Sequence, residues 1–164
     1  MSMFENSRYR WRETCFVLFD AKKRPTLQHV VKALTALKKR YELTDQNADE
    51  NGLVDSLSVI SPNDFAALDI CYTEGEEVLE QCGTLVEEFK KLGFEGEPPV
   101  PWPQIKKYDG RFDVLHFEQI PDEEDDSSDE MLDPATLLAV MEALTKLTGG
   151  VAVDPQSGTF LNDV

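Results

Sequence analysis

Thr14-Cys15-Phe16-Val17-Leu18-Phe19, then Asp20 to Pro25, then Thr26-Leu27-Gln28-His29-Val30-Val31-Lys32-Ala33-Leu34 is the stretch whose reading decides the fold. Cys15 to Phe19 is apolar without alternation, which predicts a strand shielded on both faces and therefore inside a sheet. Leu27, Val30, Val31, Leu34, Leu37 and Tyr41 recur every three or four residues, so a helix running to Tyr41 would carry them on one side. Pro25 suits a first helical turn and Thr26 can cap it.

Working outward, Leu53 to Ser61 and Phe65 to Tyr72 read as two strands joined by the turn Ser61-Pro62-Asn63-Asp64, an antiparallel hairpin. Asp69 inside the second strand needs solvent, a partner or a cation, and exposure on an uncovered sheet face is the simplest expectation. A second helix is expected from Glu76 to Leu92, with Val78, Leu79, Cys82, Leu85, Val86, Phe89 and Leu92 as its apolar stripe. Glu74, Glu76 and Glu77 at its start and Lys90 and Lys91 at its end match the helix dipole, and Gly93 stops it. Phe112 to Phe117 supplies a fourth strand, and Asp133-Pro134 opens a third helix with Leu137, Val140, Met141, Leu144 and Leu147 on one side. Short strands at Val151-Ala152-Val153 and Thr159-Phe160-Leu161 flank a turn.

The order through Glu118 is strand, helix, strand, strand, helix, strand. It predicts an α+β fold: a ferredoxin-like βαββαβ core, an antiparallel sheet with helices on one face, extended by a C-terminal helix and short β-hairpin. Within one domain this assigns residues 1–13 to a basic, aromatic arm or strand extension and 14–120 to the core, with a proline-rich linker over 94–105. Residues 121–132 become an acidic flexible loop, and 133–164 a helix and hairpin packed on the same domain.

The chain has 164 residues and a formal net charge of -16, unevenly spread. Residues 1–44 hold ten Lys or Arg against four Asp or Glu, a balance of +6, and residues 45–164 hold six against twenty-eight, a balance of -22. Such a body repels phosphate backbones and anionic lipid, so neither nucleic acid nor membrane is an expected partner. Strand 65–72 also lacks the internal aromatics with which such a sheet stacks RNA bases. No apolar leader segment and no stretch of membrane-spanning length are visible, which points to the cytoplasm. Cys15, Cys71 and Cys82 sit in apolar patterns without CxxC spacing and are expected as reduced, buried thiols.

Several candidate sites remain. Arg8-Tyr9-Arg10-Trp11-Arg12 alternates charge and ring, so Arg8, Arg10, Arg12 and Trp11 form a candidate binding set, although a strand extension explains the same pattern. Trp102, within Pro98-Pro99-Val100-Pro101-Trp102-Pro103, is either an exposed anchor or a ring tucked against the domain. In Asp45 to Asp55, alternating oxygen side chains resemble a calcium loop: Asn47, Asp49, Asn51 and Asp55 as ligands, with Gly52 at the sharp turn. The twelfth position is Ser58 where a bidentate glutamate belongs, and a polar turn accounts for the run equally. His29 reads as a solvent histidine, while His116 and Glu118 could pair on one strand face.

The function these features favour is a non-catalytic protein-binding or regulatory module. Its partner would be a protein, a basic one or a second copy giving a homodimer, and an inhibitor or immunity-type protein is one concrete form. The alternative is a sensor or enzyme dependent on a small molecule or on calcium or magnesium, built on loop 45–55.

Overall fold

A computed structural model describes residues 8–91, 98–120 and 135–161. The fold is α+β, with seven antiparallel strands in one sheet and four α-helices among the described residues. The elements are β1 (Tyr9–Phe19), α1 (Leu27–Thr35), β2 (Glu42–Ala48), β3 (Val54–Ser61), β4 (Ala66–Glu74), α2 (Glu76–Lys91), α3 (Trp102–Ile105), β5 (Gly110–Gln119), α4 (Ala135–Thr148), β6 (Val151–Asp154) and β7 (Thr159–Phe160). The sheet runs β2-β3-β4-β5-β1-β6-β7. No helix among the described residues is long and apolar enough to cross a membrane. The expected acidic loop lies outside the described residues.

The continuous apolar run in β1 dictates the layering. Cys15, Val17 and Phe19 turn to one face, where they join Val30 and Leu34 of α1 and Leu137, Val140, Met141 and Leu144 of α4. Phe16 and Leu18 turn to the other, where Val78, Cys82, Val86 and Phe89 of α2 meet them. Helices therefore cover both faces, giving three layers instead of the expected two. The ferredoxin-like order is not reproduced either: it would set strand 65–72 directly beside β1, whereas β5 lies between them. Here β4 pairs with β5, and β1 is flanked antiparallel by β5 and β6. The hairpin β3–β4, the C-terminal helix and the β6–β7 hairpin match expectation.

Other differences have local causes. β2 was expected as a loop because it has no apolar alternation; it is an edge strand, mostly exposed, with Leu43 packed on the core. Helix α1 stops at Thr35 instead of Tyr41, since Lys38 and Arg40 take positive φ values of 55° and 57° that break the helix. Leu37 and Tyr41 still pack on the core from the loop. Residues 9–13 form the start of β1, with a bulge between Trp11 and Glu13, so this part of the arm is strand extension.

Two aromatic groups pin the layers. Phe19, Tyr72 and Phe112 hold ring centroids 5.0–5.9 Å apart across β1, β4 and β5. Phe89, Trp102 and Phe160 do the same at 4.8–6.2 Å between α2, α3 and β7. At the turn from α4 to β6, Gly149 takes φ +70° and Gly150 lies so near β1 that an added Cβ would sit 2.1 Å from the Leu18 carbonyl oxygen. Gly150→Ala is therefore expected to lower unfolding free energy by roughly 2–3 kcal/mol, as overpacking does, measured by urea denaturation.

Candidate functional site

Beyond β2 the sheet ends, and α1, flanked by α4 on one side, leaves its other flank open. That flank and Gln46 of β2 line a groove of about 500 Å³ formed by Leu27, Gln28, Val31, Lys32, Thr35 and Ala36. Its floor is apolar because the helix stripe, Leu27 and Val31 included, is wider than the core can cover: both are half-buried. The groove wall is the irregular part of β2. Register shifts fall between Thr44 and Asn47, Asp45 has φ 48°, and the Gln46 amide donates to the Leu43 carbonyl.

The segment that carries α1 is charged oppositely to the rest of the chain, while β2 across the groove adds exposed Glu42 and Asp45. From Ala21 to Tyr41 there are seven Lys or Arg and no Asp or Glu. Lys22, Lys23, Lys32, Lys38, Lys39 and Arg40 are exposed, and none forms an ion pair among the described residues. Lys32 lines the groove and Lys38 to Arg40 follow the helix end, where the dipole favours cations. His29 is exposed, as expected. Composition counts over residues 1–44 and 45–164 hid the groove; the signal available was a carboxylate-free run carrying a helix with an over-wide stripe.

Asp49 and Asp55 of the calcium-like loop do converge, but on a guanidinium. Arg24 donates to Asp49 Oδ2 at 3.3 Å, to Asp55 Oδ1, and to the Val54 carbonyl at 2.9 Å, and it lies 4.1 Å from the Tyr72 ring centroid. The other Asp49 oxygen accepts from the amides of Asn51 and Leu53, closing the β2–β3 turn. Asn47 donates instead to the Asp45 carbonyl and Ser56 Oγ. Among the described residues no group of three or more His, Cys, Asp or Glu is placed to hold a metal. Arg24 bridges Asp49 and Asp55, and Arg24→Met is expected to cost roughly 2 kcal/mol by leaving partly buried acceptors unpaired. Faster amide exchange at Asn51 and Leu53 would accompany it.

The arm residues are part of a strand end. Arg10 and Arg12 both engage Glu118, and Trp11, 43% exposed, donates through its indole to Thr14 Oγ1 at 3.0 Å. Arg8 is exposed at the start of β1, its carbonyl accepting from the Ile120 amide. Trp102 opens α3 and packs on Phe89 and Phe160, so it serves the second core cluster. Asp69, expected in solvent, is buried and accepts from Ser58 Oγ at 2.7 Å.

The nucleophile and base candidates are held in unreactive forms. Burial pushes the Cys15 and Cys82 thiols up to about 12. Cys71 is exposed, not buried as expected, and its thiol is pushed up by desolvation and then by Asp69 and Asp113. His116 is 1% exposed and neither ring nitrogen has a hydrogen-bond partner. Glu118 is taken by the arginines, and the nearest carboxylate to His116 is Glu13, 3.9 Å from Nδ1. Burial, then Arg12, against the pull of Glu118, pushes the imidazole down from 6.5 to about 4. Between those two pH values the unfolded chain binds a proton that the folded chain refuses. Stability from this group is thus full above about pH 6.5 and is lost on acidification, by about 3 kcal/mol at pH 4. Urea titrations from pH 7 to pH 4 should show this fall in the native chain and a smaller one, by that amount, in His116→Leu.

Comparison with protein-family models, curated proteins and solved structures returns no match.

Proposed function

We propose that the chain is a non-catalytic protein-binding module and that its docking surface is the groove between α1 and β2. The observation carrying this reading is an open apolar floor, Leu27 and Val31, on a helix flank that no other described element covers. An apolar strip in a concave setting with a polar rim has the anatomy of a protein-binding patch. The unreactive state of the thiols and of His116 supports a binding role over covalent or general-base chemistry. The free thiols also suit a cytoplasmic setting. A basic partner would meet a different surface, the outer side of α2 with exposed Glu76, Glu77, Glu80, Glu87 and Glu88. The α1 flank, where an apolar floor is open, is favoured.

Selection of a random dodecamer library displayed on phage against the folded chain tests the reading. Peptides should be enriched whose binding falls by about tenfold or more on Val31→Glu, while circular dichroism and the melting temperature of that variant stay near the native values. A selection that enriches nothing, or enriches peptides indifferent to Val31→Glu and to Gln28→Trp, which fills the groove, would overturn it.

A further inference from the structure

We infer that the groove receives an acidic segment of a partner protein that carries apolar anchor side chains. This rests on the groove being the docking surface and adds the chemistry of what enters it. In a chain of net charge -16, a stretch of twenty-one residues, Ala21 to Tyr41, with no carboxylate is the exception. Six of its seven cations have no ion pair among the described residues; the seventh, Arg24, is spent on the β2–β3 turn. Lys32 stands in the groove itself and Lys38, Lys39 and Arg40 stand at its helix-end exit. Carboxylates ordered along that line would complement Lys32 and the cations that follow the helix end.

The floor sets the second requirement. Leu27 and Val31 are one helical turn apart, and the lining from Leu27 to Ala36 spans about 13 Å along the axis at 1.5 Å per residue. That length suits two anchor side chains about 6–7 Å apart, the separation of alternate residues in an extended chain or of neighbours one turn apart on a helix. Continuous strand addition along β2 is broken at Asp45 to Asn47, where the register shifts. Side-chain anchoring therefore carries the contact. Polyanions of other kinds fit less well. The lining has no aromatic ring on which a base could stack, and the net charge of the whole chain opposes an extended phosphate surface.

The peptides enriched in the dodecamer selection provide the test. They should carry an excess of Asp and Glu together with at least two apolar residues. A synthetic copy of the most enriched one should bind about tenfold or more weakly to Lys32→Glu/Lys38→Glu/Lys39→Glu, whose substitutions are all on exposed side chains, and should weaken likewise on going from low salt to roughly 0.5 M salt. Neutral or basic peptides that still respond to Val31→Glu would leave the groove as docking surface and overturn its acidic ligand. Tighter competition by oligo-dT or by phosphatidylserine vesicles than by the acidic peptide would overturn it as well. So would a dimer in sedimentation velocity that the triple variant dissolves, which would make a second copy the occupant.

Discussion

The structure depends on burying both sides of β1 at once. Alternate residues of one short apolar run must each find a cover, so the chain needs one helical layer made of α1 and α4 and another made of α2 with α3. Pairing with β5 on one side and, along Phe16 to Leu18, with β6 on the other then keeps the apolar end of β1 inside the sheet. Because the run has no polar position, register slips are disfavoured less by polarity than by shape: the Phe19, Tyr72 and Phe112 rings and the approach of Gly150 to Leu18 fit in one alignment.

Charge follows the same division of labour. Where the fold needs a cation, it places an arginine among fixed acceptors: Arg24 across the β2–β3 turn, Arg10 and Arg12 on Glu118, Arg111 on Asp113 and Gln81. Among the described residues the cations not so used are mostly exposed lysines, whose hydrated heads stay in water: Lys22, Lys23, Lys32, Lys38 and Lys39 around α1, and Lys90, Lys91 and Lys107 at α2 and after α3.

Much of this was legible in the residues. The strand–helix unit, the β3–β4 hairpin, α2 and α4 all declare themselves by apolar spacing, because each buries one complete face or stripe. The order of strands was not legible, since local spacing says which side is buried and nothing about which neighbour buries it; α2 on the far face was therefore invisible. β2 escaped because an exposed edge strand has no core face to betray it. The loop at 45–55 shows a pattern with two uses: a turn closed by carboxylates around Arg24 has the same alternating oxygens as a turn closed around a metal, and the arginine lies far away in sequence. His116 looked like half of a pair with Glu118, but Arg10 and Arg12, distant along the chain, took the carboxylate.

The two ends of the sheet have a consequence for how this chain tolerates crowding by its own kind. One border is a stub of two residues, β7, and the other is β2, polar and kinked where its ladder slips. Neither offers the long flat row of amides on which copies could stack into a continuous ribbon. Borders blunted in this way give a second copy a shorter row of amides to pair with than smooth edges of a sheet this broad would.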